Sequence, residues 1–203
     1  MLYDHKPFLL VVSAPSGCGK TTLLNQLFRK VKGLVVSVSH TTRKPRNNET
    51  DAVDYHFVDS VEFSRMQNDG QFLESATVHG NSYGTSSFSL KNLMDNGRDV
   101  VLDIDVQGMK EVKSASQFDL VTIFILPPSM EELESRLRNR QTDADAVIKK
   151  RLLNAAVEIS NACFYDYIIL NENIDLACER LKAIVYAERS RSTRTNLMGV
   201  FPD

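Results

Sequence analysis

Phe8-Leu9-Leu10-Val11-Val12-Ser13-Ala14-Pro15-Ser16-Gly17-Cys18-Gly19-Lys20-Thr21-Thr22 joins three local signals in one stretch. The apolar run Phe8 to Val12 reads as a buried strand. A loop of small residues follows, and then an amphipathic run begins in which Leu23, Leu24, Leu27 and Phe28 recur at helical spacing. Strand, small-residue loop and helix are the context that a phosphate-binding P-loop requires. Gly17 and Gly19 let successive backbone N–H groups converge on one anion. The helix opening at Lys20 adds its positive end, Lys20 can reach terminal phosphates, and the Thr21 hydroxyl can ligate Mg²⁺. Ala14 stands where the strict pattern has glycine; alanine is the mildest replacement if no positive φ is needed there.

A chain of 203 residues is long enough for one well-buried core with a small inserted subdomain. The net charge of −2 provides no global field to recruit nucleic acid or an anionic membrane, so basic residues must act locally. The three cysteines, Cys18, Cys163 and Cys178, are odd in number and lack metal-site spacing, which points to a reducing compartment. The short apolar run before the loop is too brief for a signal peptide or a membrane span, so a soluble, cytoplasmic protein is expected.

Further buried strands are expected at Leu34–Val38, Val100–Asp103, Leu120–Leu126 and Tyr167–Leu170. Asp59 with Glu62, and Ser129 with Glu132, are capping signals for helices, the second running through Arg140. Helices are also expected near Phe88–Met94, Val147–Ile159 and Asp175–Arg191. Buried strands alternating with helices predict an α/β fold with a parallel sheet covered on both faces. The region Phe57–Phe88, with its short strands and one helix, breaks that rhythm and reads as an insertion.

Asp103 closes its strand with a carboxylate, at the end of a parallel sheet where ligands bind. There it can hold Mg²⁺ beside Thr21, and Asp105 points to the same side; either residue can instead cap the next turn. Ser39-His40-Thr41-Thr42-Arg43-Lys44-Pro45-Arg46 places two arginines in one loop, a planar fork suited to a second phosphate or, alternatively, a solvated charged surface. The histidines His5, His40, His56 and His79 form no cluster in the sequence.

Taken together, these residues carry a resemblance to the guanylate kinases. It rests on the ordered set Ala14–Thr22, Ser39–Arg46, Asp54-Tyr55-His56-Phe57, Phe72-Leu73-Glu74, Gly80-Asn81-Ser82-Tyr83-Gly84-Thr85, Leu102-Asp103-Ile104-Asp105-Val106-Gln107-Gly108 and Pro127-Pro128-Ser129. The resemblance implies a P-loop kinase whose parallel core sheet is covered by helices, at about 1–38, 97–135 and 164–195. It implies an inserted mixed α+β GMP-binding subdomain at about 39–96 and a helical lid at about 136–163. The implied reaction is transfer of a phosphoryl group from ATP to GMP or dGMP with Mg²⁺, by a monomer or homodimer without nucleic-acid or membrane partners.

In that family, Ala14, Pro15, Ser16, Gly17, Cys18, Gly19, Lys20, Thr21 and Thr22 would bind ATP, with Asn171 against adenine or serving as a turn residue. Arg43, Arg46, Tyr55 and Tyr83 would hold the GMP phosphate; Ser39, Glu74 and Thr85 would read guanine, with Asp105 nearby. Lys20, Arg43, Arg136, Arg140 and Arg151 would be catalytic, the last three closing from the lid, and Thr21 with Asp103 would hold the metal. The chemistry agrees for Glu74: guanine presents a ring N–H beside an exocyclic amine, and one carboxylate accepts from both, whereas adenine reverses the pattern. The family commonly has glycine near Asn48 and at Ala52, so the loop between Arg46 and Tyr55 is expected to follow its own path.

Three further expectations concern less conserved-looking chemistry. Cys18, near a helix N-terminus, is in a setting that favours thiolate, the alternative being an inert small residue. Arg189, Arg191 and Arg194 read as a solvated surface, and the Leu197–Asp203 tail as disordered. Two rival functions remain: a kinase of the same architecture with another phosphorylated acceptor, and a guanylate-kinase-like binding module that has lost catalysis. Glu74 and Thr85 weigh against the first, and Lys20, Thr21 and Asp103 against the second; a GTPase is disfavoured because no Asn-Lys-x-Asp motif occurs.

Overall fold

The computed structural model describes residues 5–47, 49–78, 80–115, 117–139 and 144–195. Arg140, most of the segment Gln141–Asp145 and the tail from Leu197 lie outside these residues, as do Asn48 and His79. In chain order the elements are β1 (Leu9–Ser13), α1 (Lys20–Lys30), β2 (Leu34–Val36), β3 (His40–Thr41), β4 (His56–Phe57), α2 (Ser60–Asn68), β5 (Phe72–Val78) and β6 (Asn81–Ser86). Then come α3 (Ser87–Asp95), β7 (Asp99–Asp103), α4 (Val106–Ala115), β8 (Leu120–Leu126), α5 (Met130–Asn139), α6 (Asp145–Ser160), β9 (Tyr167–Leu170) and α7 (Ile174–Arg189).

Five strands form a parallel sheet in the order β2-β7-β1-β8-β9. The central strand is buried on both faces, and its alternation divides the core. Phe8, Leu10 and Val12 pack with Leu23 and Leu27 of α1 and Leu181 and Val185 of α7. Leu9 and Val11 pack the opposite way, with Leu90 of α3, Met109 and Val112 of α4, and Phe124. Each such side chain, fully removed from water, contributes about 1.5–3 kcal/mol. The register sets Val12 beside Asp103, so β1 and β7 end together and the loop after β1 faces that carboxylate.

The inserted region forms its own four-stranded sheet, β4-β3-β6-β5, mixed in direction. Asp59 caps α2 by accepting from the Glu62 N–H at 2.8 Å, and Ser129 caps α5 by accepting from the Glu132 N–H at 3.2 Å, as the sequence signals predict. Ala52 has φ +60°, a left-handed conformation that favours glycine and costs an L-residue roughly 1–2 kcal/mol. Ala14 has no positive φ, so alanine is accommodated there without that strain.

Two local features go beyond the sequence reading, and one expectation is corrected. α4 follows Asp105, whose carboxylate accepts from the Gly108 N–H at 2.8 Å and caps it. His40 and His56 meet as a pair: parallel pairing of β3 with β4 stacks their rings at 4.6 Å between centroids, and among the described residues they belong to no metal-holding cluster. The correction concerns the C-terminal arginines, which are not all solvated. Arg189 donates to Asp99 at 2.7 Å, and Asp99 is fully buried. Arg194 is itself buried, forked onto Asp119 at 2.7 and 2.8 Å, paired with the buried Glu188, and 4.7 Å from the Phe8 ring. Only Arg191 keeps an exposed side chain, at 59%.

Removing one member of a buried ion pair leaves the other charge desolvated and unpaired, which costs about 3–5 kcal/mol. Arg194→Ala is therefore expected to lower the unfolding free energy by about the lower end of that range, since it takes the buried partner from Glu188 and leaves it the Tyr167 hydroxyl and the exposed Arg191 at 3.4 Å. Urea denaturation of the two proteins reads the difference, and equal midpoints would refute the assignment.

Candidate active site

The loop after β1 turns at Gly17 and Gly19, with φ of +95° and +92°. A Cβ on Gly17 would lie 2.7 Å from Leu137 Cδ2, and one on Gly19 would lie 2.9 Å from Asn171 Nδ2, so both positions exclude a side chain by space as well as by conformation. Asn171 is buried behind the loop, and its amide donates to the Cys18 carbonyl at 2.7 Å. Arg136 reaches the same carbonyl at 3.5 Å and the Asn171 carbonyl at 3.2 Å. Arg151, on α6, donates to the Ser16 hydroxyl at 3.2 Å. The Asn171 amide nitrogen thus braces the loop backbone from behind.

The Cys18 expectation is likewise corrected. The side chain is fully buried, the thiol donates to the Ile125 carbonyl at 3.6 Å, and burial pushes it up to about 12, against the smaller opposing pull of Arg136 and Lys20. Burial outweighs the cationic surroundings that the sequence suggests.

A cavity of about 590 Å³ lies over the loop, walled by its residues Ala14–Thr22, by Asp105, and by Lys150, Arg151 and Glu158 of α6. Lys20 opens α1, pairs with Asp103, and donates to the Ile104 carbonyl at 3.4 Å. Thr21 and Thr22 are exposed beside it. Glu158 is half-buried; burial raises its carboxyl above the usual range, and the charge of Asp105 adds to this. Nothing in the sequence reading singled out Lys150 or Glu158.

A second cavity, of about 410 Å³, opens between the two sheets. Ser39, Tyr55, Glu74 and Tyr83 line it from the inserted sheet and its loops, and Asp103 and Asp105 from the end of β7. Asp105 therefore belongs to both cavities. Glu74 is 7% exposed, and its Oε1 accepts from the Thr85 hydroxyl at 2.6 Å across the β5–β6 pair. Burial raises the Glu74 carboxyl, the Thr85 hydrogen bond opposes this, and the charges of Glu111 and Asp105 reinforce it. Thr85 is fully buried and is not among the residues lining the cavity; its hydroxyl meets Glu74 instead.

Tyr55 and Tyr83 meet edge to face at 6.0 Å, and the Arg43 guanidinium lies 5.3 Å from the Tyr55 ring. Arg43 also donates to Glu49 at 2.8 Å, and the second Glu49 oxygen accepts from the Arg46 N–H at 2.9 Å. The Arg46 side chain is 74% exposed, with its guanidinium 4.0 Å from the same Glu49 carboxylate.

The sequence matches the guanylate kinase family profile over residues 6–188. A guanylate kinase of Desulfotalea psychrophila is 48% identical over 191 residues, covering 94% of each chain. One from Syntrophotalea carbinolica is 50% identical over 186 residues, covering 92% of this chain and 88% of the relative. The crystal structure of guanylate kinase from Anaplasma phagocytophilum superposes with a TM-score of 0.78 at 37% identity, covering 97% of this chain and 93% of that one. The chain belongs to the guanylate kinase family. The fold class expected from the sequence is the one observed: a parallel core sheet with helices, joined to a mixed sheet. The SH3-kinase fragment of tight junction protein 3, at 11% identity and a TM-score of 0.52, shares the fold alone.

Proposed function

We propose that the chain transfers the terminal phosphoryl group of ATP to GMP, and to dGMP, giving ADP and GDP or dGDP. The observation that carries this reading is a pair of cavities meeting at Asp105, one built on a phosphate loop and the other presenting the buried carboxylate Glu74. ATP would lie over Ala14–Thr22, its phosphates facing Lys20 and the α1 N-terminus. GMP would enter with its base at Glu74 and Ser39 and its phosphate toward Arg43, Tyr55 and Tyr83. Arg46 would join by swinging in from solvent.

The acceptor is a phosphate monoester, largely dianionic near neutral pH because its second pKa is about 6, so it needs no general base. Alignment and charge then carry the chemistry. Arg151 touches the loop from α6, so α5 and α6 can act as a lid that brings positive charge over the phosphates. Arg136, whose guanidinium meets the Cys18 carbonyl of the loop at 3.5 Å, would add its charge from α5. Segments 39–96 and 136–163 would serve as the acceptor and lid parts.

The Thr21 hydroxyl and the Asp103 carboxylate are hard oxygen donors at adjoining strand and helix ends, which suits an ion that keeps its waters and takes phosphate oxygens. They would hold Mg²⁺, which when bound neutralises charge on the phosphates. Among the described residues no helix is long and apolar enough to cross a membrane.

An ADP-release assay with GMP, dGMP, AMP, CMP and UMP as acceptors tests the proposal. Turnover is expected with GMP and dGMP and near background with the others. Comparable turnover with AMP would refute it.

A further inference from the structure

Gly108 lies in the first turn of α4, is buried, and has no part in the chemistry above. Its φ is not positive, so its backbone is open to any residue; what it lacks is room. A Cβ there would come within 3.3 Å of Glu74 Oε2, 3.3 Å of Ile104 Cβ and 3.4 Å of Ile104 Cδ1. Ile104 offers little give, because its Cβ is fixed to the backbone between Asp103 and Asp105, and its carbonyl accepts from Lys20. Glu74 is boxed as well: Thr85 holds its other oxygen at 2.6 Å, and Glu111 of α4 accepts from the next backbone N–H, on Ser75, at 3.4 Å. α4, carried by the core sheet, thus forms the back wall behind the carboxylate of the inserted sheet.

We infer that Gly108 is a positioning residue for base choice: the absence of a side chain there lets the first turn of α4 set where the Glu74 carboxylate stands. This rests on Glu74 reading the base, as proposed above. A methyl group at 108 displaces the carboxylate by a few tenths of an ångström, and a branched side chain displaces it further. A carboxylate accepting from two adjacent N–H groups tolerates little displacement, because both hydrogen bonds lose distance and angle together.

The test is steady-state kinetics on Gly108→Ala and Gly108→Val, with thermal melts to confirm folding. Gly108→Ala is expected to raise the KM for GMP roughly tenfold and Gly108→Val more, with the KM for ATP changed less than about twofold, since a misplacement of about 1 Å can cost 10²-fold. The GMP-over-AMP preference should fall in step. In a Glu74→Ala background the Gly108→Ala penalty should disappear, because the two residues act through one contact. Equal rises in the KM for GMP and for ATP, an unchanged KM for GMP in both variants, or a full penalty persisting in the Glu74→Ala background would each overturn the inference. Failure of the underlying reading is seen separately, as a wild-type protein with no preference for GMP.

Discussion

Lys20→Ala is expected to lower kcat by roughly 10²–10³, the cost of removing one preorganised charge from a transferring group. The ammonium sits at the α1 N-terminus against Asp103 and the Ile104 carbonyl, at the floor of the nucleotide cavity. From there a flexible stem would let the charge follow the migrating phosphoryl group, making the interaction strongest in the transition state. ATP affinity should fall much less, because the backbone N–H groups around Gly17 and Gly19 and the helix end remain. Turnover measured at saturating ATP, alongside nucleotide binding to the same variant, separates the two. A variant with near-normal kcat would contradict the role and favour a module that binds nucleotides without turning them over.

Wild-type protein should prefer GMP over AMP by roughly 10⁴–10⁵ in kcat/KM, because adenine would leave a buried carboxylate without its donors. Glu74→Ala should erase most of that margin by losing GMP, with the KM for ATP unmoved. The preference should also depend on pH. Burial, aided by Glu111 and Asp105, raises the Glu74 carboxyl, and only the ionised form accepts both guanine N–H groups. As pH falls through that raised value, Glu74 gains a proton and the KM for GMP should climb while the KM for ATP stays flat. A KM for GMP that is flat across the acid range, or a Glu74→Ala variant that still selects GMP, would count against the assignment.

The phosphate loop was legible because its chemistry demands particular residue types in contiguous order, between a strand and a helix that each announce themselves. Glu74 was singled out from base chemistry, whereas its burial and its bond to Thr85 were not legible. Thr85 reads as a direct contact in one dimension, while the β5–β6 register turns its hydroxyl onto Glu74 and out of the cavity. The thiol of Cys18 illustrates the same gap: helix position favours ionisation, and only packing against Ile125 shows that burial wins. α4 was hidden because a single capping carboxylate does not by itself announce a helix, and Asp105, offered as a ligand or a cap, turns out to cap the Gly108 N–H. The stacking of His40 on His56 and the burial of Arg194 depend on strands and termini meeting across long sequence separations, which no local pattern carries.

The two sheets share no strand. Hydrogen-bond register in one therefore does not constrain register in the other, and they communicate through side chains and the first turns of a few helices. Such a construction separates what can vary from what cannot. In the proposed reaction the parallel sheet would carry the donor machinery, which serves any acceptor, while the small mixed sheet would carry the choice of acceptor. Changes of partner can accumulate on one surface of the molecule while the phosphate loop is inherited intact, and the junction at Asp105 is the place where the two histories must agree.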